Sequence, residues 1–149
     1  MIQIGDMSLE AALASHVEAL REKGFPDDPA MGCVFPLPIF HGMEMVLVQS
    51  PEALARFMAA YSAGINFKPV AEIDVDVETL RLEDEGRAVM RLASTIHYED
   101  GDRRVNISIR HLRAEDGVFR TELVNITRLA AGGPFERLAA AAASPYGVN

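Results

Sequence analysis

Two residues of this chain, His111 and Glu122, have the types and spacing to carry out proton transfer. If the strands on either side of Asp116-Gly117 pair about that dipeptide, the two face each other, with Met90 beside His111 on the next strand. A carboxylate next to an imidazole orients the ring and raises its proton affinity, which suits a general base. The same placement also describes a plain cross-strand polar pair near a sheet end, worth about 0.2–1 kcal/mol. A second group is Ser94, Tyr98 and Tyr61, with Met58 and Met90 as adaptable apolar neighbours. A few hydroxyls converging inside an apolar field are how a pocket orients a small ligand.

Other reactive side chains point to less. Asp74, Asp76 and Glu78 alternate along one strand near Arg91 and Arg110, a set that could hold a hard cation. The register worked out below turns them outward, with Glu78 opposite Arg91 and Glu72 opposite His97, so they read as surface charge pairs. His16 and His41 have no partners at metal-ligand spacing, and neither a metal nor a cofactor is expected. Gly5, Gly24, Gly32 and Gly42 are scattered singly, so no phosphate-cradling loop is present. Cys33 lies in a proline-rich loop without a basic neighbour in sequence to activate its thiol.

These residues sit on elements that periodicity and punctuation define. Leu9, Leu13, Val17 and Leu20 repeat at helical spacing and Gly24 can end that helix. The segment from Val34 to Gln49 reads as a short hairpin whose first strand, with Pro36 and Pro38, is an edge or irregular strand. Ser50 is a natural N-cap, Pro51 fits the first helical position, and Leu54, Phe57, Met58 and Tyr61 line one face up to Gly64. From Lys68 the period changes to two, predicting strands over about residues 69–82, 87–99, 103–114 and 118–129. A short helix at 135–143 closes a tail spanning 131–149, behind a single domain over residues 1–130.

The turns predict the register of this meander. With Asp100-Gly101 and Asp116-Gly117 each central in a two-residue turn, Ile96 meets Val105, Ser94 meets Ile107, and Met90 meets His111. Ile107 then meets Ile126, Ile109 meets Val124, and Ile73 meets Ile96. The inner face carries Ile73, Val75, Val77, Leu92, Ile96, Val105, Ile107, Ile109, Val124 and Ile126. Asn106, Ser108 and Arg110 fall on the outer face with the acids. An apolar face of this kind must be covered, and the amphipathic helices are the cover. The fold class is α+β, a curved, mostly antiparallel sheet wrapped around N-terminal helices.

Composition sets the outer bounds. The chain has 149 residues, 22 acidic against 14 Lys and Arg, and a net charge of -8. That balance argues against nucleic acid or an anionic membrane as partner, since both call for a basic footprint. A single cysteine excludes an internal disulfide, and the start of the chain lacks the basic and apolar regions of a signal peptide, so a cytoplasmic location is expected.

The sequence FPLPIFHG, then SPEALARFMAAYSAGI, then the meander, resembles uncharacterised bacterial members of the nuclear transport factor 2-like (NTF2-like) superfamily. That is the cystatin-like α+β fold shared with ketosteroid isomerase and the SnoaL-like polyketide cyclases, and the resemblance covers roughly residues 8–130. It implies a half-cone with a small-molecule pocket between sheet and helices, and a homodimer formed through the outer sheet face. Three functions are compatible with it. The first is binding of a small apolar or aromatic molecule. The second is an enzyme of isomerase, cyclase or hydratase type, with His111 as base and Glu122 orienting it. The third is a structural dimerisation domain.

Overall fold

The computed structural model describes residues 14, 15, 17, 18, 32–83 and 86–143. Most of the first expected helix lies outside these residues, although Ala14, Ser15, Val17 and Glu18 are helical. The hairpin follows as β1 (Leu37–His41) and β2 (Glu44–Val48), then helix α1 (Pro51–Ile65). The meander is β3 (Val70–Glu83), β4 (Arg87–Tyr98), β5 (Arg103–Glu115) and β6 (Val118–Arg128), and helix α2 (Phe135–Ala143) comes last.

Helix α1 starts as its sequence dictates. The Ser50 Oγ accepts a hydrogen bond from the Ala53 N–H at 3.2 Å, and Pro51 occupies the first turn, where no N–H is needed. The helix runs one residue past Gly64. With no side chain there, the Gly132 N–H reaches the Gly64 carbonyl at 3.1 Å, drawing the segment after β6 onto the end of the helix. Helix α2 packs Phe135, Leu138 and Ala142 into the same core as Leu54 and Phe57. Arg56 fastens its far end, donating to the carbonyls of Ala141 and Ala142 at 3.1 and 3.0 Å.

The six strands form one curved, unclosed sheet in the order β2-β1-β6-β5-β4-β3. Only β1 and β6 run parallel; every other neighbouring pair is antiparallel. Irregularities at Ala71, Glu78, Glu122 and Thr127 break the ladders, and such bulges increase the local twist that bends a sheet. Val48, Leu54, Leu37 and Phe57 form the core at the β1 end, while Met90, Leu112, Phe119 and Val17 pack together at the other.

The register corrects the expected faces at one strand. Ile73 does meet Ile96, and Val75 meets Ser94. Across the next hairpin, however, Ile96 meets Arg104, Ser94 meets Asn106, and Met90 meets Arg110. The cause is the loop. Tyr98 pairs with Asp102 (N–H to carbonyl, 2.8 Å), leaving Glu99, Asp100 and Gly101 as a three-residue turn with Gly101 at φ 95°. Glycine in that left-handed position is the mark of the bulged three-residue hairpin rather than the two-residue one. Asp116-Gly117 is the two-residue turn expected, both residues at positive φ and Glu115 opposite Val118. A bulge then leaves Glu122 between the pairs Leu112–Thr121 and His111–Leu123.

Gly101→Val should destabilise the fold by roughly 1–2 kcal/mol, because a β-branched residue is strained at positive φ. A urea melt should show the lower midpoint with an unchanged slope. A neutral result would contradict the bulged turn.

Candidate functional site

Between α1 and the inner sheet face lies a cavity of about 350 Å³. Leu54, Phe57, Met58, Tyr61, Ser62 and Ile65 of α1 form one wall. The opposite wall is laid down two residues apart along each strand, because successive side chains alternate between faces. Leu37 and Ile39 come from β1, Val124 and Ile126 from β6, and Ser94 and Ile96 from β4. Ile73 and Val75 of β3 complete it, and Ile73, 47% exposed, marks the mouth.

The middle of this wall is polar. Strand β5 contributes Asn106, Ser108 and Arg110, the three residues that the two-residue turn would have sent outward. Ser108 and Arg110 are buried, at 3% and 6% exposure. The Asn106 Oδ1 accepts from the Ala130 N–H at 3.1 Å, so its amide nitrogen is the part left to donate into the cavity. Arg104, next along the same face, donates to the Ala130 carbonyl at 3.1 Å and stacks over Phe67. These two bonds hold the segment after β6 against the β5 end of the chamber.

Burial sets the protonation states here. It lowers the Arg110 guanidinium to about 10, so the group remains a cation at neutral pH. Burial raises the Tyr61 phenol to about 12 and the Cys33 thiol to about 11, with nearby Arg110 offsetting part of each shift. Both groups therefore stay neutral donors. No Asp or Glu is among the described residues lining the cavity.

The structure brings some of the expected site residues together and separates others. Ser94, Tyr61 and Met58 all line the cavity. Tyr98 does not: its hydroxyl donates to the Ile65 carbonyl at 2.7 Å, tying β4 to the end of α1. Met90 is fully buried against Leu112 and Phe119 and does not line the chamber, although it stands opposite Arg110 on the neighbouring strand. The expected pairing of His111 with Glu122 is not formed. His111 faces Leu123 on the outer side of the sheet, and the Glu122 carboxylate lies 3.1 Å from Arg87 and 3.5 Å from Arg113. Arg87 and Arg113 are directly opposed on neighbouring strands, and the bulged Glu122 offsets their repulsion.

The outer acids lie where the sequence put them. Glu72 stands opposite His97 as expected, whereas Glu78 is bulged out of the ladder, leaving Thr79 opposite Arg91, and still reaches Arg91 at 2.7 Å. His97 Nε2 is 2.9 Å from Asp74 Oδ2, and Glu72, Asp74 and His97 together could offer three ligand atoms to a metal ion. Both carboxylates are exposed, and the His97–Asp74 pair already accounts for the cluster's geometry.

No protein-family model and no curated protein matches this sequence. Solved structures do match. An NTF-2 like protein of unknown function from Shewanella oneidensis MR-1 superposes with a TM-score of 0.55 at 9% identity, over 83% of this chain and 99% of that one. A ketosteroid isomerase-like protein from Erwinia carotovora atroseptica gives 0.53 at 14% identity, over 86% and 96%. A candidate SnoaL-like polyketide cyclase from Jannaschia sp. gives 0.52 at 13% identity, over 81% and 92%. The chain has the NTF2-like fold.

The raised thiol gives a pH test. Unfolded Cys33 ionises near 9, the folded thiol only near 11, so folding opposes its ionisation. The stability this protects is complete below pH 9 and is lost as pH rises through 9 to 11, on the order of 2–3 kcal/mol. Urea melts at pH 8 and 10.5 should show that loss, and Cys33→Ala should flatten it. Equal pH dependence in both proteins would remove Cys33 as the cause.

Proposed function

We propose that this protein binds a small, largely apolar or aromatic molecule in the cavity of its half-cone, and does so as a homodimer. The observation that carries the first part is the chamber itself: mostly apolar, with a polar strip on β5 and single hydroxyls from Tyr61, Ser62 and Ser94. An empty space lined by Leu, Ile, Phe and Val loses dispersion contacts, which a ligand restores. A purely structural domain would have no use for it. The fold relatives include a protein described as ketosteroid isomerase-like and a candidate polyketide cyclase, a likeness that favours a small-molecule cavity without naming the molecule.

The outer sheet face supports the second part. Turned outward by the register, Val105, Ile107 and Ile109 of β5 lie among Val89 and Ala93 of β4 and Leu123 of β6. This stripe runs through the middle of the sheet, with Arg91 directly opposite Ile109 and Thr95 opposite Val105, while Asp74 and His97 lie toward the β3 edge. A second copy presenting the same stripe, two-fold related, covers it with matching chemistry. An acid–base enzyme built on His111 and Glu122 has no support, because neither residue reaches the cavity.

Native mass spectrometry of gently purified protein, with a denaturing control, tests both parts. A dimer carrying additional mass that disappears on denaturation is the expected result. A bare monomer would remove both the interface and a retained ligand. Ser94→Leu supplies an independent check, since it projects apolar volume into the chamber. It should stabilise the protein by about 1 kcal/mol, a Tm rise of roughly 2–4 °C, and abolish the retained mass. A fall in Tm would show that the chamber is already full.

A further inference from the structure

We propose that the molecule held in this cavity is a neutral carbonyl compound: an aromatic or alicyclic body whose carbonyl oxygen is received by Asn106 and Ser94. The inference rests on the ligand-binding reading above and adds the chemical class.

Asn106 is the fixed point. Its Oδ1 accepts from the Ala130 N–H at 3.1 Å, and only the oxygen can serve there, because a rotated amide would set its NH2 against that N–H. The Nδ2, which only donates, is therefore the end turned away from Ala130, on a side chain that lines the chamber. Ala130 is held from a second direction, since its carbonyl accepts from Arg104 at 3.1 Å. Ser94 stands directly opposite Asn106 on β4, which puts their Cβ atoms about 4.5–5.5 Å apart on the inner face. At that separation the Asn106 N–H and the Ser94 O–H can converge on a single oxygen. Arg110 is engaged within the protein and is assigned no part in this recognition.

Water in an open chamber satisfies such donors, but a ligand that fills the chamber displaces it and must supply the acceptor itself. A wholly hydrocarbon ligand would strand the amide N–H groups beside apolar walls. An alcohol accepts from one of them but brings a proton of its own in need of an acceptor. A carbonyl oxygen has two lone pairs and no proton, so it takes one hydrogen bond from Asn106 and one from Ser94. Both donors are neutral, which suits a neutral acceptor rather than an anion in a chain of net charge -8. The walls beside the pair are apolar: Val75 stands opposite Ser94 on β3, and Ile96 follows it on the same face of β4. A chamber of about 350 Å³, near the lower end for small-molecule pockets, holds a one- or two-ring body around that polar point.

The test uses pairs in which a carbonyl oxygen is exchanged for a methylene group with the shape kept: acetophenone and α-methylstyrene, 1-tetralone and 1-methylenetetralin, 2-acetylnaphthalene and 2-isopropenylnaphthalene. Binding to the full-length protein is measured by calorimetry and by protein-observed NMR. Each ketone is compared with its own olefin in wild type and variant, so that their different hydration cancels. Asn106→Asp keeps an oxygen for the Ala130 N–H and replaces the amide donor by an acceptor. In at least one pair it should weaken the ketone at least tenfold and change the olefin less than twofold. Ser94→Ala should weaken the same ketone several-fold and spare the olefin, and serves if the Asn106 variant fails to fold. In the infrared, the carbonyl stretch of the bound carbon-13-labelled ketone should lie below its position in a hydrocarbon solvent and rise in Ser94→Ala. Ketone and olefin losing affinity equally, or neither losing any, would overturn the carbonyl inference but leave the cavity reading intact. Failure of every compound to bind would overturn both.

Discussion

The position of β5 relative to β4 is the constraint on which the rest of this molecule depends, and three residues fix it. Glu99, Asp100 and Gly101 form the loop, and Gly101 takes the left-handed conformation that closes it as a bulged three-residue turn. The Asp100 carboxylate reinforces the loop by accepting from the Asp102 N–H at 3.0 Å and from Lys68 at 2.7 Å. Because side chains alternate with a period of two, one residue in the loop decides which half of β5 faces the helices. With this turn, Asn106, Ser108 and Arg110 face in, and Val105, Ile107 and Ile109 face out. With a two-residue turn, the chamber would be dry and the outer face polar.

That consequence stays confined to β5. The bulge at Glu122 adds a second one-residue shift on the opposite side of the strand. The two shifts cancel, so Val124 and Ile126 of β6 face the helices just as Ile96 of β4 does. A single strand is thus inverted within an otherwise ordinary amphipathic sheet. The inversion is held at both edges, by a glycine on one side and by a glutamate between Arg87 and Arg113 on the other.

This explains what could be read from the sequence and what could not. The α1 boundaries were legible because Ser50 and Pro51 each have one strongly preferred place at a helix start. The β3–β4 pairing was legible as far as Ile73, Val75 and Val77, whose partners are as expected. The placement of Ser94, Tyr61 and Met58 on the chamber followed from period alone. The β5 residues were missed for a physical reason. The segment RRVNISIRHLRAE alternates polar and apolar residues cleanly, which establishes that its two faces differ but not which one is buried. Placing the apolar half inward is the ordinary choice for a sheet with one solvated face. The decision lay in the turn, where Asp-Gly serves both a two-residue loop and the last two positions of a three-residue one. Nor does sequence show a bulge such as Glu122, since its ladder breaks without a glycine or proline to mark it.

An inverted strand also constrains which functions are physically reasonable. Burying Arg110 carries a desolvation cost of several kcal/mol, which the interactions it makes within the protein must offset. Ile107 and Ile109 stay only partly buried on the outer face, which forgoes part of the roughly 1.5–3 kcal/mol that full burial of each side chain contributes. Because the cavity wall and the outer apolar stripe are carried by the same backbone, a displacement of β5 that moved one would move the other, a geometric coupling that needs no longer pathway.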